Sequence, residues 1–382
     1  MSTFKIISAD THIIEPPEVY KSIDRKKYGE FRVPTMVRRT NDKGEPIDVY
    51  CVAGKDRFRN ANVSNAGVRF KEQGKLARGD VWENVPRSCY EPGPLLEALE
   101  LDGVGGAVVQ ATNAFLFYHW HDSEMIDVVC AAFNSWMGEF CKPHPERIKG
   151  IGAINVDSIE IACQELERCA KLGLSGAFIP VAPLPNRPYR DPMYERLWNT
   201  AAALDMPLLM HLASQRAGNS ADCDATWNAE PIYPAGMRAT QDYWVRYAMA
   251  DMIFAGVFER NPKLRVGSIE NEISWIPHWL RNMDFTYTSR PQYVPFKSTE
   301  NFLPTDYWRR NLFASFTEDD VGIRTRDYIG VDNILWGNDY PHGESTWPRS
   351  QEFLDKYFAG VPENERARIT HDNAARIFKF TI

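Results

Sequence analysis

Eight short runs of apolar and β-branched residues, with helical stretches between them, constrain this sequence more than any other feature. They lie at Phe4–Ala9, Gly106–Gln110, Ile148–Ile154, Gly176–Pro180, Pro207–His211, Leu264–Ile269, Leu312–Phe316 and Asn333–Gly337. A strand that reads as continuously hydrophobic is buried on both faces, the situation of parallel strands covered by helices. The segments Ser123–Cys141, Ser158–Leu172, Pro192–Leu204 and Thr240–Glu259 are amphipathic and long enough to serve as crossovers. Eight strands with helices between them favour an α/β fold closed as a single (β/α)8 TIM-type barrel over an open sheet. With 382 residues, 44% of them hydrophobic, one barrel domain spanning 1–382 and carrying insertions is expected.

Two stretches fall outside the repeat. Residues 31–89 contain Met36–Arg39 and Ile47–Val52 around Asn41-Asp42-Lys43-Gly44, a hairpin signature, and read as an insertion after the first strand. Residues Gln215–Met237 are rich in Gly, Asn, Asp and Pro and too long for an ordinary connection, so they are expected to overhang the face where the strands end. The formal net charge of -7, from 44 basic and 51 acidic residues, offers no basic stripe to nucleic acid. Membrane spans and a signal peptide are absent from the sequence pattern, which predicts a cytoplasmic protein. The 7 cysteines are scattered without a CxxC spacing and read as reduced thiols. No nucleotide-binding glycine motif is present, which disfavours nicotinamide or ATP chemistry.

In a barrel the reacting groups stand where strands end. The first run ends in Asp10-Thr11-His12 and is followed by Glu15; the fifth ends in His211, the sixth in Glu270-Asn271-Glu272 and the eighth in Asp339. Strand alternation points Asp10 and His12 to the same side. Imidazole and carboxylate together suit borderline and hard divalent metals, so Asp10, His12, His211 and Asp339 form a four-residue candidate shell. Any one of these residues alone is more often a hydrogen-bonded core group than a ligand. Four at predicted strand ends on one face make coincidence a poor explanation.

The segments ISADTHIIEP, LLMHL, SIENEISWIPHWLRNMD, LWGNDYPH and HDNAARIF resemble the amidohydrolase-related, decarboxylase-containing branch of the amidohydrolase superfamily over nearly the whole chain. The resemblance implies that Asp10 and His12 stand in place of the superfamily's His-x-His pair, that His211 is the strand-five ligand, and that Asp339 is the strand-eight ligand and a proton acceptor. The chain departs from the pattern in having Asp at position 10, and in carrying Glu270 about where some relatives have a histidine. A carboxylate-rich site favours manganese or iron, with zinc also accepted.

Glu15, three residues beyond His12, and His278, at the start of the helix after the sixth strand, raise the count of candidate ligands to a number that two ions would use. Asp-x-His-x-x-Glu is similar to a subgroup of the superfamily that hydroxylates aliphatic C–H bonds at a dinuclear iron or manganese–iron centre, with dioxygen as co-substrate. The leading expectation is therefore a monooxygenase acting on a small carboxylate or amino acid. The alternative is a decarboxylase or hydrolase with one metal ion, acting on an aromatic or unsaturated carboxylic acid; a structural barrel subunit is a third. His342, three residues after Asp339, is placed at the rim of the site to orient substrate or to shuttle a proton. Gln215 and Arg216 are candidates for holding a substrate carboxylate, and His119, with neighbouring His121, for a substrate-facing loop. A homo-oligomer, or a hetero-oligomer with a related barrel subunit, is expected.

Overall fold

The computed structural model describes residues 6–59, 64–71, 81–216 and 235–381. Its strands are β1 (Ile6–His12), β2 (Thr35–Thr40), β3 (Pro46–Val52), β4 (Lys55–Arg59), β5 (Val104–Gln110), β6 (Ile148–Ala153), β7 (Gly176–Phe178), β8 (Leu208–His211), β9 (Val266–Ile269), β10 (Leu312–Phe316) and β11 (Ile334–Trp336). Eight of them form one sheet in the order β1-β5-β6-β7-β8-β9-β10-β11, with every pair parallel. The residues following β11 close it: Thr11 bridges Tyr340, the His12 N–H donates to Tyr340 O at 2.6 Å, and the Asp339 N–H donates to Asp10 O at 2.9 Å. The molecule is a (β/α)8 barrel, and each of the eight apolar runs supplies one strand.

The eight barrel strands are buried along almost their whole length because helices cover the outside and side chains fill the inside. Helices span Ser123–Cys141, Ile159–Lys171 and Glu195–Leu204, as the periodicity predicts. The first two start where a side chain caps the end: Asp122 accepts from the Met125 N–H and Ser158 from the Ile161 N–H. The expected helix over Thr240–Glu259 is broken into Tyr243–Phe254 and Val257–Arg260. Gly256 makes the break with φ +71, and a Cβ there would come within 2.7 Å of Phe296. The sixth barrel strand begins at Val266, and the Leu264 N–H before it is turned back onto Asn261 O at 3.0 Å.

The insertion holds the hairpin and a third strand, β4, which its sequence did not signal; the sheet order is β2-β3-β4, antiparallel. Asn41 sets the turn, its side-chain oxygen accepting the Lys43 and Glu45 N–H groups at 3.0 and 2.9 Å. Tyr50 and Val52 join the barrel's own core. Most of the long stretch expected to overhang the strand ends, residues 217–234, lies outside the described residues, as do residues 60–63 and 72–80 and Cys223. Among the described residues six cysteines form no disulfide, and no helix is long and apolar enough to cross a membrane.

Closure of the barrel depends on a close approach at Gly337. A Cβ at that position would lie 2.4 Å from Asp10 Cβ and 2.8 Å from Asp10 N. Gly337→Ala is expected to destabilise the protein by about 3 kcal/mol through overpacking. A urea unfolding midpoint equal to wild type would contradict this.

Candidate metal centre

Every strand that contributes to the centre does so at its C-terminal end, where the backbone leaves the sheet and side chains can converge on the barrel mouth. Asp10 and His12 close β1, His211 closes β8, Glu270 follows β9, and Asp339 follows β11. The ligand-type atoms of Asp10, His12, His211 and Glu270 all lie within 4.8 Å of one another, and those of His12, Glu270, Asp339 and His342 form a second such group. The two imidazole Nε2 atoms are 3.2 Å apart. Around them, His12 Nε2 is 3.2 Å from Asp10 Oδ1 and 3.6 Å from Asp339 Oδ1, while His211 Nε2 is 3.1 Å from Glu270 Oε2. Glu270 and Asp339 both hold φ near +55, a left-handed conformation that costs a non-glycine residue energy and is concentrated at functional sites.

The other ring nitrogens explain what the cluster is shaped for. His12 Nδ1 donates to Ala111 O at 2.6 Å and His211 Nδ1 to Leu212 O at 2.7 Å. With both protons committed to carbonyls, both Nε2 lone pairs face each other among the carboxylates, an arrangement that repels itself unless a cation sits within it. Neither oxygen of the buried Asp10 has a hydrogen-bond partner. A divalent cation fits this donor set.

Burial and proximity set the charges. Burial opposes ionisation of Asp10, but when the facing His12 and His211 rings carry protons on Nε2 they outweigh it and hold its pKa well below the usual carboxylate range, the place a bound cation would take. Glu270 is pushed far upward by burial and by the Asp339 and Asp10 carboxylates. His12 is pushed down, first by burial and then by His342. Beside the cluster, His342 Nδ1 bonds Asp339 Oδ1 at 2.7 Å and its Nε2 meets Thr112 Oγ1 at 3.3 Å.

The structure thus brings together Asp10, His12, His211, Glu270, Asp339 and His342. It corrects four other expectations. Glu15 is fully buried, but its carboxylate accepts the N–H groups of Asn113 at 2.8 Å and Ala114 at 2.9 Å rather than joining the cluster. Burial pushes its pKa to about 7 against those donors. His278 is exposed on the helix Ile276–Ser289 and pairs with Asn282 at 2.9 Å; its neighbours Ile276, Trp279 and Leu280 face the core, so the helical period turns it to solvent. Arg216 is not free to hold a substrate. It is fully buried, bonds Asp157 through Nε and Nη2 at 3.1 and 2.6 Å, and donates Nη1 to the carbonyls of Trp120 and Tyr118. His119 is likewise buried, with Nε2 2.9 Å from Ala213 O, and serves to tie the loop after β5 to the loop after β8.

Among the described residues, two adjoining cavities lie at this end. One, of about 410 Å³, is lined by Glu270, Asp339, Glu272, Trp275 and Arg238 among others. The second, of about 190 Å³, has Leu212, Val181, Trp244 and Gln215 in its wall and shares Arg238 and Asn271 with the first. Gln215 lines the second of these cavities. Arg238, half-buried and paired with Glu344, is the guanidinium that reaches both cavities. Nothing in its Ala-Gly-Met-Arg context marks it; only its place after the long loop could have.

The family model for amidohydrolases matches residues 109–380. The chain belongs to the amidohydrolase family. Among curated relatives, this amidohydrolase is 23% identical over 273 residues to the gamma-resorcylate decarboxylase of Polaromonas sp. (strain JS666), covering 68% of this chain and 78% of that protein. It is 22% identical to the 2-amino-3-carboxymuconate-6-semialdehyde decarboxylase of Dictyostelium discoideum, covering 69% and 70%. Its fold is shared by an amidohydrolase from Mycobacterium avium subsp. paratuberculosis K-10, with TM-score 0.79 at 22% identity over 99% of this chain and 100% of that one. It is also shared by a dihydroxybenzoic acid decarboxylase from Polaromonas sp. JS666 with bound manganese and 2-nitroresorcinol, with TM-score 0.65 at 18% identity over 99% and 98%.

His119 gives the amidohydrolase an acid sensitivity. Burial, with Arg216 nearby, pushes its pKa from 6.5 to about 4 despite the bond to Ala213. A folded-state pKa below the unfolded one means stability that is full above pH 6.5 and is lost as pH falls toward 4, by up to about 3 kcal/mol. Urea unfolding at pH 7 and pH 4.5 should show a smaller acid loss for His119→Asn than for wild type.

Proposed function

We propose that this chain is a decarboxylase of small aromatic carboxylic acids that uses one divalent cation, with manganese the leading candidate. The observation that carries the reading is the convergence of the His12 and His211 Nε2 atoms on the unpartnered Asp10 carboxylate, with a hydrogen-bonded Asp339 and His342 pair alongside. Asp10, His12 and His211 would hold the ion, and Glu270 and Asp339 would complete its acidic shell. A bound cation would supply Lewis acidity and a fixed positive charge for the substrate's oxygens.

The residues themselves then divide the work. The apolar wall of the smaller cavity, with Leu212, Val181 and Trp244, suits a flat hydrocarbon ring. Arg238, at the junction of the two cavities, gives the carboxylate a cationic partner. Loss of carbon dioxide leaves an electron pair on carbon that must take up a proton. His342 is placed to carry it: burial alone would lower its pKa, but the Asp339 carboxylate prevails and raises it. Gamma-resorcylate decarboxylases among the relatives favour aromatic acids as the substrate class.

The monooxygenase reading rested on Glu15 and His278, and both stand outside the cluster. His12 also has only Nε2 to offer, since Nδ1 is committed to Ala111, so it cannot serve two ions.

Protein reconstituted with manganese is expected to bind one ion per chain and to release carbon dioxide from gamma-resorcylate or a related hydroxybenzoate. His211→Ala should lose the ion, whereas His342→Gln should keep it and lower kcat by about 10²–10⁴-fold. Two ions per chain with oxygen consumption in the presence of a reductant would reject this function in favour of oxygen chemistry.

A further inference from the structure

We propose that Glu15 is a positioning residue which, by gripping the backbone at Asn113 and Ala114, orients the three histidines of the metal centre through a single segment. This rests on the reading of that centre as a metal site.

The geometry runs outward from the carboxylate. After β1 the chain is pinned residue by residue: the His12 N–H bonds Tyr340 O, the Ile13 N–H bonds Gln110 O, and the Ile14 N–H bonds Cys89 O. Glu15 therefore leaves a fixed backbone, and its side chain turns inward to meet the residues that follow β5. One oxygen, Oε2, accepts Asn113 N–H at 2.8 Å, and the other, Oε1, accepts Ala114 N–H at 2.9 Å. These N–H groups begin the short helix Asn113–Phe117, whose own Thr112 provides no side-chain cap. The cap comes instead from another strand's end, and that coupling is what matters for the site.

The segment held in this way touches all three histidines. Ala111 O receives the His12 Nδ1 proton at 2.6 Å, fixing both the tautomer and the ring plane. Thr112 Oγ1 meets His342 Nε2 at 3.3 Å. Phe115 stacks on His211, with ring centroids 4.4 Å apart and planes 19° apart, and meets His12 edge-on at 6.0 Å. A brace serving the fold alone would have no reason to end on all three rings. Moving the segment by even a fraction of an ångström would turn His12 and His211 away from a shared point, and outer partners of this kind typically govern metal affinity by 10–100-fold.

Glu15→Gln retains one acceptor but places an NH2 group against a backbone N–H. Glu15→Asp retains the charge but falls short by one methylene. Manganese titration of each variant is expected to show affinity weakened by about 10–100-fold, with the number of ions at saturation unchanged from wild type. In metal-free protein labelled with 15N-histidine, the His12 Nδ1–H resonance should shift or broaden in both variants. Loss of an ion at saturating manganese would overturn the proposal by making Glu15 a ligand. Unchanged affinity and an unchanged His12 resonance, with only a lower unfolding midpoint, would overturn it by making Glu15 a brace of the fold alone. If Gln at position 15 prevents folding, the Asp variant supplies both measurements. Should wild type bind no metal, the reading of the centre fails, and the metal-free His12 resonance still decides whether Glu15 positions the ring.

Discussion

The seam between β1 and the residues after β11 is the constraint on which the remaining structure depends. A sheet of eight parallel strands becomes a barrel only if its two edges meet, and here they meet through Asp339 N–H to Asp10 O and His12 N–H to Tyr340 O. The same bonds set Asp10 and Asp339 side by side at the mouth. Closure of the fold and assembly of the centre are therefore one event, and Gly337 permits both by lacking a side chain where Asp10 passes. Carboxylates brought this close would repel without the imidazoles between them. The energy of burying so many charged groups is thus tied to whatever cation they share.

Most of the barrel was legible in the sequence because parallel strands covered on both faces leave an uninterrupted apolar record. All eight runs became strands, and His211, Glu270 and Asp339 could be placed at strand ends from that record alone. Glu270 and His342 joined the cluster with Asp10, His12, His211 and Asp339. The third strand of the insertion was not legible, since Lys55–Arg59 is polar and lies at the edge of a small sheet. Gly256 lay in view inside an otherwise helical stretch, but the ring that leaves no room for a Cβ there belongs to Phe296, a distant residue.

Glu15 and His278 show where spacing misleads. Proximity in sequence to His12 suggested that Glu15 shared its destination, whereas its partners are backbone N–H groups nearly a hundred residues away, which no side-chain pattern announces. His278 has the residue type of a ligand, but the buried Ile276, Trp279 and Leu280 dictate the helix face. Arg216 failed for a related reason. A buried guanidinium must find carboxylate and carbonyl partners inside the protein, and it found them in Asp157, Tyr118 and Trp120.

Arg216 and His119 together lash the loop after β8 to the loop after β5. The first of these loops carries the carbonyl that orients His211, and the second the carbonyl that orients His12. The two rings therefore cannot spread or close independently. A cage whose walls are tied in this way discriminates among cations by size: an ion too small for the fixed gap gains no contraction, and one too large must pay to loosen loops anchored in the protein interior. Choice of metal in this fold would then be written in the rigidity of two loops as much as in the chemistry of the donors.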